Sequence, residues 1–402
     1  MIKSIPVAQL RIGMYVHDLN CDWLDHNFVR NRFEIDSPEL LDKVRALGQA
    51  EIIIDTELGL DVAPQLDDED AAAPDPALSA DPAPPLRSAP KPAPRLAPYT
   101  RAHAERLHGE ANLIVRDLMG DIRLGKQIEI EKIEPMVESI VDSIFRRQDA
   151  LLPLARLKQH DEYTFQHSVS VCALMVSFAR ALEQPREIIR EIAIGALLHD
   201  VGKAKVPDTI LNKPAKLTDA EFTRMKNHVV QSKLILQATP GVSEIALGVA
   251  AEHHERFDGS GYPNKLKGEA ISLYGQMAAI VDVYDAITSQ RVYHKGMPPT
   301  EALRKLLEWS DSHFQPKLVH AFIRAVGIYP TGSLVRLESN RLAVVQAQHA
   351  DSLISPLVKV MFHTKGYYLP PELVDLRQSQ DRITSHESFE TWQIDPTHWL
   401  PE

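Results

Sequence analysis

Ten of the chain's 28 prolines fall between Pro64 and Pro98, mixed with Ala, Asp and Ser. A compact domain does not run through such a stretch, because it has too little apolar surface to offset the entropy of ordering it. The chain must fold on either side of a semi-extended tether, residues 63–98. A docking motif for another protein is the alternative reading of this stretch. With 402 residues, 44% of them hydrophobic, there is material for two or three cored domains.

Before the tether, residues 1–62 read as a small α/β module. Ile5-Pro6-Val7, Gly13 to Val16, Phe33 to Ile35 and Glu51 to Ile54 read as short strands. Ser37-Pro38-Glu39 opens a helix, with Leu40, Leu41 and Val44 at helical spacing and Gly48 at its end. Residues 99–329 read as helical. Their apolar stripe Ile133, Met136, Val137, Ile140, Val141 and Ile144 either packs on the core or pairs with a second copy in a homodimer. Residues 330–402 read as a small β-rich appendage, with a hairpin around Ser339-Asn340 and a strand at Val358 to Phe362. The expected class is mainly α: an all-α helical core flanked by the α/β module and the appendage.

The formal charge is −11, which argues against a nucleic-acid polymer as the main partner. Two cysteines, Cys21 and Cys172, make no disulfide framework, and a reducing compartment fits. The first residues do not open a signal peptide, and no stretch approaches the roughly 18 to 20 apolar residues of a spanning helix. The expectation is a cytoplasmic protein with no membrane partner.

Two motifs carry chemistry. The first is His199-Asp200-Val201-Gly202-Lys203, and the second is His253-His254-Glu255-Arg256-Phe257-Asp258-Gly259-Ser260-Gly261-Tyr262-Pro263. A His-Asp pair offers one metal an imidazole nitrogen and a carboxylate oxygen, and the second oxygen can reach a second metal. The His-His pair reads as the far wall of such a site. The pattern points to metal-assisted hydrolysis of a phosphate ester. His167, His228 and Asp282 extend the set to five imidazoles and two carboxylates, which suits Mn, Fe or Zn rather than a thiolate site. Alone, His167 reads as a satisfied core histidine and His228 as a solvent histidine on a polar face. Asp282 lies in an apolar helical stretch, where a buried unpaired carboxylate is costly and calls for a cation. The glycines of the loop allow a ligand or partner to approach closely, or simply make a tight turn. Tyr262 in the same loop either stacks on a base or packs inward.

In order, spacing and neighbours these residues resemble the HD-GYP family, a branch of the HD phosphohydrolases. The resemblance runs from about Leu151 to Gly327. It includes Tyr163 to Val169, Val206 to Pro214, Leu217-Thr218 with Glu221 and Met225, and Asp285 to Tyr293. The N-terminal module resembles one of unknown function often found in front of such domains. The resemblance implies an all-α HD fold that hydrolyses cyclic di-GMP to pGpG by attack of a metal-bridging hydroxide, with further cleavage to GMP left open. It implies two divalent ions, Fe or Mn first, with Zn, Ni or Co open. His167, His199, Asp200 and Asp282 would hold one ion, and Asp200, His228, His253 and His254 the other, with Asp200 bridging. Lys203 would contact a phosphate oxygen and Arg291 would grip the phosphates. Gly261, Tyr262 and Pro263 would line the site and meet GGDEF-domain proteins.

Two departures stand out. Tyr163 occupies the position of a glutamate that in some members helps hold a third metal, and Glu162 is one residue off. His294 stands where a second basic residue is common, with Lys295 next. A low-turnover receptor or GGDEF adaptor, and a hydrolase of another cyclic dinucleotide, are the alternatives.

Overall fold

A computed structural model describes residues 2–18, 33–45, 51–56, 58–60, 101–156, 163–289, 296–349 and 351–401. The tether and Gly48 lie outside the described residues. The chain divides into two compact units, Met1–Leu96 and Ala97–Glu402.

In the first unit, β1 (Ile2–Pro6), β2 (Tyr15–Asp18), β3 (Phe33–Glu34) and β4 (Glu51–Asp55) form one antiparallel sheet in the order β1-β4-β2-β3, with α1 (Pro38–Arg45) between β3 and β4. Val7 lies in a short 3-10 turn rather than in the strand expected there. Alternation in β4 buries Ile52 and Ile54. They join Ile5, Leu10, Met14, Val16, Ile35 and Val44 in a core of their own.

The second unit opens with α2 (Arg101–Arg123) and α3 (Ile130–Arg156), the latter kinked at Arg147. The α3 stripe Ile133, Met136, Val137, Ile140, Val141 and Ile144 is buried in the helical core. Core packing therefore accounts for it, and none of the stripe is left over to pair with a second copy.

The centre of the unit is α4 (Tyr163–Ala181). From Val169 to Ala179 its apolar residues are buried on every side, and a helix apolar all round must be wrapped by others. Helices α2 and α3 pack on it, as do α5 (Arg186–Leu198), α9 (Leu273–Thr288) and α11 (Pro316–Val326), while α6 (Asp208–Leu211), α7 (Asp219–Gln237), α8 (Glu244–Glu252) and α10 (Pro299–Glu308) complete the unit's helices. Helix α7 starts at a capping box, in which Thr218 accepts from the Glu221 backbone N–H and the Glu221 carboxylate accepts from Thr218. Ser243 and Ser272 cap α8 and α9 by accepting from the N–H groups of Ala246 and Gly275, which fixes where each helix begins.

After α11, β5 (Leu334–Leu337), β6 (Arg341–His349), β7 (Ser352–His363), β8 (Tyr367–Asp375) and β9 (Ile383–Glu387) form an antiparallel sheet ordered β8-β7-β6-β5-β9. The β5–β6 turn carries Asn340 at φ 61°, a left-handed conformation that asparagine tolerates. Both faces are covered. Val335, Ala343 and Val358 pack on one side, and Leu334, Leu342 and Met361 on the other. Among the described residues no helix is long and apolar enough to cross a membrane.

Candidate metal centre

Five elements deliver the candidate ligands to one place. His167 lies in the second turn of α4 and Asp282 in the middle of α9. His199 and Asp200 follow the last turn of α5, and His253 and His254 follow the last turn of α8. His228 lies in the middle of α7 and is buried. The polar-face reading of His228 fails because α7 runs ten residues further than the helix ending at Asn227 that its composition suggests, to Gln237.

The ligand atoms fall into two groups. Those of His167, His199 and Asp282 lie within 4.8 Å of one another, as do those of His228, His253 and His254. Asp200 lies between them. Its Oδ2 is 3.5 Å from His167 Nε2 and 3.3 Å from His199 Nε2. Its Oδ1 is 3.2 Å from His228 Nε2 and 4.0 Å from His253 Nε2. One carboxylate oxygen thus faces each group.

The tautomers follow from local hydrogen bonds. Nδ1 of His199, His228 and His253 lies 2.7, 2.6 and 2.9 Å from the carbonyl oxygens of Ala196, Met225 and Ala250, each three residues back. A carbonyl only accepts, so each Nδ1 carries the proton and each Nε2 lone pair points inward. His167 is held by a carboxylate instead, with Asp285 Oδ2 at 2.6 Å from Nδ1.

The donor set can be tested against a cation by its unpaired atoms. Nε2 of His199, His228 and His253 and Oδ1 of Asp200 are buried and have no hydrogen-bond partner. Unpaired buried polar atoms are costly, and lone pairs facing one another across 3.2 to 4.0 Å repel. Cations between them resolve both problems, so the residues present fit divalent metal binding.

The charges agree with this. Burial pushes the Asp200 carboxyl up, but Lys203 and His199 outweigh it and hold it well below the usual range. Burial likewise opposes ionisation of Asp282, and His167 and His254 overcome it. Burial, with the neighbouring imidazole of His254, keeps His253 neutral, and burial lowers His254 to about 3. Neutral His253 and His254 beside ionised carboxylates are in the protonation states that bind metal, whereas at His199 burial is outweighed by Asp200 and Asp282, which raise it.

The glycine-rich loop folds back on the centre. The Tyr262 N–H donates to His254 O at 3.1 Å, and the Tyr262 ring leans on the His254 ring with centroids 4.7 Å apart. One side of the half-buried Tyr262 ring thus packs on the centre, and burial raises its phenol. A Cβ on Gly261 would lie 2.4 Å from Arg256 N, so only glycine allows this approach. The peptide from Tyr262 to Pro263 is cis. Buried Glu255 ties the loop down by accepting from the N–H groups of Asn264 and Leu266 at 2.7 and 3.0 Å. Lys203 is half-buried and its Nζ donates to Asp200 Oδ2. Glu162, Arg291, His294, Lys295 and the Tyr163 side chain lie outside the described residues.

Sequence reasoning assigned no role to Asp285 or Glu255. Asp285 had a signal, since it is three residues from Asp282 and so on the same face of an apolar helix. The signal of Glu255 was weaker: a carboxylate next to a loop rich in unpaired N–H groups.

Residues 2–133 match a domain of unknown function, DUF3391, and residues 150–318 match the HD domain. The DUF3391 match continues through the tether and α2. A cyclic di-GMP phosphodiesterase of Pseudomonas aeruginosa is 44% identical over 400 residues, covering 98% of this chain and 94% of that protein. A cyclic di-GMP phosphodiesterase of Vibrio cholerae is 47% identical over 134 residues, covering 32% of this chain and 27% of that protein. A 3'3'-cGAMP-specific phosphodiesterase of Vibrio cholerae is 34% identical over 214 residues, covering 49% of each chain. With one relative 44% identical along nearly its whole length and an HD domain of its own, this chain belongs to the HD-GYP family of HD-domain phosphodiesterases.

Proposed function

We infer that this chain is a phosphodiesterase that opens cyclic di-GMP to pGpG. The observation that carries the reading is Asp200, with one oxygen toward His167 and His199 and the other toward His228 and His253. His167, His199 and Asp282 with Asp200 would hold one divalent ion, and His228, His253 and His254 with Asp200 the other, Fe or Mn being the best suited. Bound there, such ions would supply an acidified water and offset negative charge on the phosphate. The chain's own residues orient the reaction. Lys203 brings an ammonium to the edge of the centre, Arg291 offers a planar fork for phosphate oxygens, and Gly261 to Pro263 form a wall. That wall is also the surface offered to GGDEF-domain proteins. The setting is cytoplasmic signalling.

Two ions per chain are expected rather than three, because a phenol at position 163 is a poor substitute for a carboxylate. Cleavage of pGpG onward to GMP should then be slow.

The test is to incubate anaerobically purified protein with cyclic di-GMP, separate the products by chromatography and measure metal in the same sample. Release of pGpG from protein with two ions supports the reading. Metal-filled protein that binds cyclic di-GMP without turnover makes it a receptor or adaptor instead. The second reading, another cyclic dinucleotide as substrate, is favoured by the likeness to the 3'3'-cGAMP-specific enzyme. Equal or faster cleavage of 3'3'-cGAMP in the same assay would establish it.

A further inference from the structure

Lys226 lies on α7 two residues before His228, half-buried, and makes no ion pair among the described residues. Instead its Nζ lies 5.2 Å from the ring centre of Phe222 and 5.7 Å from that of Tyr262. Phe222 is one helical turn back on α7 and is 49% exposed. Tyr262 leans on His254 at the rim of the centre. Contact follows contact from His254 to Tyr262, to Lys226, to Phe222.

Resting on the reading of this chain as a cyclic dinucleotide phosphodiesterase, we propose that Phe222, Lys226 and Tyr262 form a guanine subsite beside the metal centre. An exposed phenyl ring is a stacking platform, and every nucleobase has a π face to lay on it. The ammonium supplies the selectivity because it only donates. The O6 and N7 of guanine are adjacent acceptors, whereas adenine sets an amino donor where guanine has O6. An ammonium flanked by rings also fits a base better than a phosphate, which gains nothing from rings. The base hangs one sugar away from the phosphate, and Lys226 lies one side chain beyond the rim. The subsite therefore selects guanine over adenine in the half of the substrate that occupies it.

The experiment compares wild type with Lys226→Met and Phe222→Ala, with metal content measured for each. KM and kcat are taken for cyclic di-GMP, and calorimetric Kd values for GMP and AMP, which need no turnover. Lys226→Met should raise KM about tenfold, the scale of one lost base contact, while kcat moves less than about twofold. It should also abolish the preference for GMP over AMP at unchanged metal content. Phe222→Ala should weaken GMP and AMP alike, since stacking is blind to the base. Equal weakening of both mononucleotides by Lys226→Met would make it a phosphate contact and overturn the proposal, as would no change in either. If wild type cleaves no cyclic di-GMP, the parent reading falls, and the subsite is decided separately by the GMP and AMP constants.

Discussion

Asp285 holds His167 in place: Oδ2 of the carboxylate lies 2.6 Å from Nδ1 of the imidazole, and both side chains are buried. The carboxylate accepts the Nδ1 proton. Nε2 then faces the centre, 3.0 Å from Asp282 Oδ1 and 3.5 Å from Asp200 Oδ2. His199, His228 and His253 lean on carbonyls three residues back in their own chain segments, whereas His167 depends on a side chain from another helix.

Asp285→Asn should therefore lower metal affinity and turnover by about 10–100-fold, the usual effect of losing such an outer partner. The amide can present its NH2 to Nδ1 and move the ring proton to Nε2, where it blocks coordination. Metal titration alongside kcat checks this. Unchanged affinity and turnover would remove Asp285 from the positioning of His167.

Asp200→Asn should abolish hydrolysis. The substitution removes the charge between the two groups and turns one of two acceptor oxygens into a donor that faces bare Nε2 or Oδ positions. Wild-type turnover with full metal content would show that the bridging role is wrong.

Deleting residues 1–98 should leave a folded, metal-binding unit that still cleaves substrate. The first unit has its own core, and the division between units falls at Leu96. Insolubility or loss of metal in the truncated chain would show that the second unit is incomplete without it. Normal folding with altered rate constants would assign the module to regulation.

How much of this was legible in the sequence varies residue by residue. His199-Asp200 and His253-His254 could be read because adjacent ligands at a helix end need no knowledge of the fold. His228 and His167 were readable only by resemblance, because burial depends on what packs against α7 and α4. The polar residues around His228 suggested a solvent face, yet the turn Val201–Lys205 covers it. The carbonyl partners of the histidines left no trace, since any residue has a carbonyl. The β5–β6 hairpin was legible from two short apolar runs on either side of Ser339-Asn340, whereas Val7 was not: its apolar side chain fits a strand or a 3-10 turn equally well.

Gly202→Ala should damage the second metal position more than the first. A Cβ on Gly202 would lie 2.0 Å from His228 O and 2.4 Å from Ser232 N. Both are backbone atoms of α7, so no side chain can swing aside. The helix must retreat or the turn must twist, at a cost of about 1–3 kcal/mol for overpacking. The bond from Gly202 N–H to Ser232 Oγ, 2.8 Å long, is strained by the same shift. Retreat of α7 carries His228 away from Asp200 Oδ1, now 3.2 Å from its Nε2. The ion shared by His228, His253 and His254 should be lost first, while the group of His167, His199 and Asp282 keeps its geometry. Gly109→Ala is the control: it lies on the exposed face of α2 with nothing within 4 Å of its added Cβ. There alanine should stabilise by up to about 1 kcal/mol through helix propensity. Melting temperature and metal per chain, measured on both variants, decide the matter. If Gly202→Ala keeps two ions and the wild-type melting temperature, α7 is not pinned against the turn that carries Lys203.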